Sequence, residues 1–160
     1  MLNLEDSFTF YASYHNNAVN QAIHIFCIWP IFFTALGLGR IYLPGCPAPP
    51  ALAAALEPWV PPEALALHAG LAFVAVTVFA YPIMDPVIGT VGALLSVACY
   101  LVSNVLAPRH AAIFGAVHVA GWLAQFWGHG VHEGRAPALL DSLFQAIFIA
   151  PLFVLLAIAF

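Results

Sequence analysis

No lysine occurs in this chain, and its cationic side chains are three arginines, Arg40, Arg109 and Arg135. Charged residues make up 6% of the sequence and hydrophobic residues 64%, at a mean hydropathy of +0.98. A water-soluble domain needs roughly a quarter of its residues charged to dress its surface, so most of this surface faces lipid. The formal net charge of −4 excludes nucleic acid as a partner, which demands a basic face. Three cysteines, Cys27, Cys46 and Cys99, are odd in number and form no CxxC pair. They give neither a disulfide framework nor a zinc knuckle. The polar, slightly acidic start MLNLEDSFTFYASYHNN is not a secretory signal peptide.

Long apolar runs are abundant instead. A helix of about 20 apolar residues crosses a bilayer because it pairs its own backbone polar groups. Five such runs are expected, at about 20–42, 64–84, 87–106, 111–130 and 142–160. The fold class is therefore all-α: a polytopic transmembrane bundle of about five helices in one integral-membrane domain, 1–160. Prolines in LPGCPAPPALAAALEPWVPPE, between the first two runs, rule out a continuous helix there. Tyr42 and Trp59 suit the interface, where amphipathic rings settle. YPIMDP, residues 81–86, reads as a tight turn.

Counting spans sorts the seven histidines. The end of the fourth helix returns to the membrane face that holds the start of the first. His15, His24, His129, His132 and Glu133 then share one face with Asp85 and Asp141, while His68 and His110 lie opposite and are expected to be solvated. His118 falls midway along the fourth helix and reads as a hydrogen-bonded interior residue, and Cys27 as packing. With Arg40 and Arg109 on one side and Arg135 on the other, the positive-inside rule does not set the orientation.

Two stretches concentrate the chemistry. In YASYHNNAVNQAIHIFCIWP, residues 11–30, Asn17 can cap a helix starting near Ala18. A nine-residue spacing puts His15 and His24 on opposite faces of a straight helix. A break near Asn16 and Asn17 lets His15 fold back, while Asn20 and His24, four apart, share a face. In QFWGHGVHEG, residues 125–134, His129 lies three residues before His132 and four before Glu133. Either pair converges if the fourth helix continues past Gly130. Imidazole with an occasional carboxylate is a ligand set for iron, zinc, copper or nickel. Polar groups placed at membrane depth are costly and tend to be functional. Gln125, one turn before His129, is placed to hold that ring's second nitrogen. Arg135 suits either a carboxylate or an interfacial anchor. The paired boxes HxxxH and HxxHH of membrane desaturases and hydroxylases are missing. Two non-enzymatic readings stay open, a metal- or heme-binding membrane protein and a transport protein whose histidines relay protons.

YHNNAVNQAIH, residues 14–24, and WLAQFWGHGVHEGRAPALLDSLFQAIFIAPLF, residues 122–153, closely resemble the Mpo1-like family, whose fungal members are endoplasmic-reticulum membrane proteins. The family pattern is His, then Asn-x-x-Asn, then x-x-x-His near the amino terminus. Later come W-x-x-Q-F-x-G-H, a nearby Glu and R-x-P-A-L. The resemblance implies an iron(II)-dependent dioxygenase, with Fe(2+) as cofactor and O2 and a 2-hydroxy fatty acid as substrates. The implied reaction is alpha-oxidation to the acid one carbon shorter, on the route that degrades phytosphingosine. Carried over to this chain, the metal ligands are His15, His24 and His129. His132 stands where members often carry Phe, which makes it the weakest of the four candidates. Glu133, Arg135 and Gln125 are the expected supporting residues, with Arg135 paired to the substrate carboxylate. The implied location is the endoplasmic-reticulum membrane in a eukaryote or the cytoplasmic membrane in a bacterium, with membrane lipid around the bundle.

Overall fold

The computed structural model describes residues 4–137, 141–143 and 145–159. Seven α-helices form among them, rather than the five expected. They are α1 (Leu4–Ala12), α2 (Ala18–Tyr42), α3 (Pro50–Leu56), α4 (Gly70–Met84), α5 (Ile88–Leu106), α6 (Ala111–Trp127) and α7 (Ala150–Ala159). Three helical stretches are long and apolar enough to cross a membrane, Ala18–Tyr42, Ile88–Arg109 and Ala111–Glu133. They suit an integral membrane protein. Two expected spans prove short. At 1.5 Å per residue, the 15 residues of α4 cover about 22 Å, less than the roughly 30 Å hydrocarbon core. The last apolar helix covers Ala146–Ala159, and residues 144 and 160 of the expected fifth span lie outside the described residues.

The shortening of the second span has a local cause. Prolines 61 and 62 start a 3-10 turn at Pro62–Leu65, and Leu67–His68 (β2) then pairs antiparallel with Gly45–Cys46 (β1). Residues 64–69 of the expected span therefore do not join α4. The proline-rich loop also builds α3, with Pro50 in the first helical position, where a missing N–H costs nothing. Tyr42 and Trp59 are 73% and 84% exposed, as interfacial rings should be. Asp85 makes the turn before α5, accepting the Val87 and Ile88 N–H groups at 2.9 and 2.7 Å.

Packing divides the molecule into two layers around α2. Phe32 and Leu36 of α2 meet Val74 of α4 and Tyr100 of α5. The carboxy-terminal half of α4 packs on α7 through Ala80, Tyr81, Leu152, Phe153 and Leu156. Against the opposite side of α2 lies α6, drawn in by glycine. A Cβ on Gly121 would stand 2.7 Å from the Ile31 side chain, and one on Gly128 2.6 Å from Asn20 Oδ1. Small residues permit such close backbone approach, a main source of cohesion between helices in lipid. An apolar cavity of about 460 Å³ separates α6 from α4 and α7, with α2 as its back wall.

His68 departs from expectation. It is 7% exposed rather than solvated, because β2 folds its ring under the loop and onto Tyr100, 4.9 Å away and nearly parallel. His110 is exposed, as expected. His118 sits in a hydrogen-bonded chain: Trp122 Nε1–H donates to its Nε2 at 3.1 Å. That leaves Nδ1 to donate to Thr34 Oγ1 at 3.0 Å, and Thr34 in turn donates to the Pro30 carbonyl at 2.8 Å.

Candidate metal centre

The chain reverses between α1 and α2. Ser13, Tyr14 and His15 N–H groups bond back to the Thr9, Tyr11 and Ala12 carbonyls, each at 3.0 Å. Asn17 then caps α2, accepting the N–H groups of Val19 and Asn20 at 2.9 and 3.4 Å. The sequence placed this break correctly, and it brings His15 over the first turns of α2. Gln21 holds it there by donating to the His15 carbonyl at 2.7 Å.

From the other side, α6 runs on beyond Trp127 as a π-helix, Gly128–Glu133, and Gly134 ends it at φ 64°. π turns recur at functional sites, and this one aims three side chains in different directions. His129 turns inward. Glu133 reaches over to α2, where its carboxylate accepts the Asn16 and Asn17 N–H groups at 2.8 and 3.0 Å and the Asn20 amide at 3.1 Å. His132 turns away, edge-on to Trp127 at 4.4 Å. The i→i+5 winding removes the shared face that an α-helix would give positions 129 and 132, so His132 does not join the cluster.

His15, His24 and His129 do converge. One ring nitrogen from each lies within 4.8 Å of the others, and the ring centroids are 4.2, 5.0 and 4.9 Å apart. The three are 5%, 5% and 3% exposed. His15 Nδ1 bonds the Tyr11 carbonyl at 2.7 Å and His24 Nδ1 the Asn20 carbonyl at 2.8 Å. A carbonyl only accepts, so both Nδ1 atoms carry the proton and both Nε2 atoms present lone pairs, as metal-ligating histidines do. His15 Nε2 and His129 Nδ1 are buried without a hydrogen-bond partner. Burial pushes the His15 pKa down to about 4, against the opposing bond from the Tyr11 carbonyl. The ring is thus neutral at physiological pH, the form that binds metal.

The supporting residues fall differently from expectation. Gln125 lines the cavity, but its Nε2 is buried without a partner, and no hydrogen bond joins it to His129 among the described residues. Glu133 fastens the chain reversal to α6 rather than facing the cavity. Arg135 is not among the cavity-lining residues. Its guanidinium lies over the Tyr14 ring at 3.8 Å and donates to the Ser13 carbonyl at 3.0 Å. Tyr14 also donates to Asp141, so Asp141 does share the histidine end. Residues 138–140, which complete the R-x-P-A-L stretch, lie outside the described residues.

Tyr11 escaped the sequence reading. Its ring stacks on His15 at 3.9 Å, its carbonyl fixes that imidazole, and it lines the cavity. The four-residue spacing from Tyr11 to His15 carried the signal, hidden because the helix between them ends.

The family model for 2-hydroxy-palmitic acid dioxygenase Mpo1-like proteins matches residues 1–160. This chain belongs to the Mpo1-like family. One relative is the 2-hydroxy-palmitic acid dioxygenase MPO1 of Saccharomyces cerevisiae (strain ATCC 204508 / S288c), 50% identical over 40 residues. That stretch covers 25% of this chain and 23% of the relative's length. No solved structure matches this Mpo1-like chain.

Proposed function

We propose that this Mpo1-like protein is an iron(II)-dependent dioxygenase that shortens 2-hydroxy fatty acids by one carbon. The reaction balances as one 2-hydroxy acid and one O2 giving the acid one carbon shorter, CO2 and water. The observation that carries the reading is three buried imidazoles converging at one end of an apolar cavity. The residues fit a metal: two proton positions are fixed by backbone carbonyls, and buried ring nitrogens lack partners. The three histidines would hold a single ion with positions left open, and iron supplies the redox chemistry that zinc lacks.

The rest is the work of the chain. The cavity continues from the histidines past Ile28, Ile31, Phe32 and Leu36 toward Leu43 and Gly70, which suits an acyl tail. Its volume of about 460 Å³ lies in the range of small-molecule sites, roughly 300–1,000 Å³. A tail entering from the bilayer exchanges one apolar surrounding for another, so the head group at the histidines decides binding. The Asn20–Glu133 contact holds the two ligand-bearing helices together, and a dry site keeps water from the reacting carbon. The heme-binding alternative fares worse. Rings 4.2–5.0 Å apart meet at one point and leave no gap for a porphyrin between any two. The same reading places the protein in the endoplasmic-reticulum membrane of a eukaryote or the cytoplasmic membrane of a bacterium.

The test is anaerobic purification with iron(II), then addition of 2-hydroxyhexadecanoic acid and O2. Pentadecanoic acid is the expected product by mass spectrometry. A fully iron-loaded protein that makes none would sink the proposal.

A further inference from the structure

The expected partner of the substrate carboxylate, Arg135, is held on Tyr14 and Ser13 outside the cavity. Arg109 pairs with Glu63 at 3.3 Å in the loop, and Arg40 is likewise absent from the lining. No cationic side chain among the described residues therefore faces an acid bound there. A carboxylate taken into an apolar site needs donors in place of its lost water. The lining offers few. Trp122 spends its N–H on His118, and the Gln125 amide nitrogen is buried without a partner.

Tyr11 remains. Its phenol makes no hydrogen bond among the described residues, and it is not one of the buried atoms left without a partner. Tyr11 lines the cavity together with His15, His24 and His129. Buried tyrosines usually find a partner for the O–H, so a phenol without one among the described residues, stacked on His15 at the cavity, suits a ligand. The ring cannot swing away: it is stacked on His15 at 3.9 Å and packed on Phe153 at 5.0 Å.

We infer that the Tyr11 hydroxyl donates a hydrogen bond to the carboxylate of the 2-hydroxy acid, fixing its head group beside His15, His24 and His129. Tyr11 is then a substrate-binding residue, doing for this carboxylate what an arginine does in a water-exposed site. The inference rests on the proposed function, since it takes a 2-hydroxy acid as the ligand. The same ring and carbonyl also orient His15, so one residue sets both a candidate ligand and the head group it meets.

Tyr11→Phe keeps the stacking, the packing and the backbone carbonyl while removing the hydroxyl. Equilibrium binding would be measured anaerobically on iron-loaded protein, with 2-hydroxyhexadecanoic acid and with 1,2-hexadecanediol, which lacks the carboxylate. A hydrogen bond to a charged group corresponds to about ten- to a hundredfold in affinity. The variant should lose about that factor for the acid, change less than about threefold for the diol, and keep its iron. In turnover, KM should rise more than kcat falls. Unchanged acid binding would overturn the inference, as would equal losses for acid and diol, which would mark a purely structural role. If Tyr11→Phe loses iron, Tyr11→Trp, which keeps a stacked ring but moves its donor, must restore iron without restoring acid affinity. Wild-type protein that binds acid normally while the variant matches it defeats Tyr11 alone. Wild-type protein that binds no 2-hydroxy acid defeats the proposed function and this inference together.

Discussion

The molecule has two buried histidine sites, one at each end, and they are built on opposite principles. At the loop end, His68 Nε2–H donates to Asn104 Oδ1 at 3.0 Å and its Nδ1 accepts the Gly70 N–H at 3.2 Å. Asn104 donates to the Ala64 and Ala66 carbonyls at 2.8 and 3.0 Å, and Tyr100 donates to Ala66 at 2.7 Å. Every polar atom of that imidazole is satisfied within the protein. At the other end, each of two histidines has one nitrogen fixed by a carbonyl, while His15 Nε2 and His129 Nδ1 are buried and unpaired. An unpaired buried polar atom costs about 1–3 kcal/mol, which a closed structural network avoids. The loop end is a fastening. The histidine triad leaves two ring nitrogens unpaired, as the proposed metal site requires.

Breaking the triad should have the largest effect. His24→Ala is expected to lower activity by more than about a hundredfold, beyond the range for outer-shell partners, with iron content falling in parallel. His68→Ala should leave iron content and product formation near wild type. Retained iron in His24→Ala would remove the distinction between the two sites. Breaking the fastening should read out as stability instead. Asn104→Ala orphans the His68 N–H and the Ala64 carbonyl, so unfolding in detergent should show a loss of roughly 2 kcal/mol or more with unchanged iron stoichiometry. Iron loss without destabilisation would contradict it.

Smaller changes sharpen the contrast. Glu133→Gln keeps the shape of the contact that joins the chain reversal to α6 but removes its charge. Iron affinity should fall by about tenfold, the lower range for outer-shell partners, in a competitive chelator titration. The iron-free protein should also respond to acid. The folded-state pKa of His15, about 4, lies below the unfolded value near 6.5. The unfolded chain therefore binds more protons between those values, and His15's contribution is complete above about pH 6.5 and lost as pH falls through 4. Melting temperatures of wild type and His15→Asn should converge over that window; parallel curves would refute it. Arg135→Ala is expected to do least. Loss of the contact with Tyr14 should cost about 0.5–1 kcal/mol and leave acid binding within about threefold. A larger loss of binding would return Arg135 to the substrate.

Much of this was legible in the residues themselves. Asn17 announced its cap, and the Asn16–Asn17 break announced the fold-back of His15, because a side-chain acceptor before an apolar run has few other uses. The grouping of His129 with His15 and His24 matches the convergence of the three rings. The failures share a cause: each depended on how a helix ends. The second span was overextended because β2 pairs with a strand over 20 residues earlier, a contact that periodicity cannot reveal. His132 looked equivalent to Glu133 under α-helical spacing, and the π turn separated them. Arg135 suited either a carboxylate or an interfacial anchor, and its direction depended on the Tyr14 ring that the chain reversal carries beneath it. Tyr11 was missed since a residue on one helix and its partner beyond that helix's end do not share a periodic pattern.

The most direct measurement of the central claim is X-ray absorption at the iron edge of protein loaded with one equivalent of iron(II). The account predicts a first shell containing three imidazole nitrogens from His15, His24 and His129, reduced by one in His24→Ala and unchanged in His68→Ala. A shell without histidine, or one diminished by the loss of His68, would contradict it.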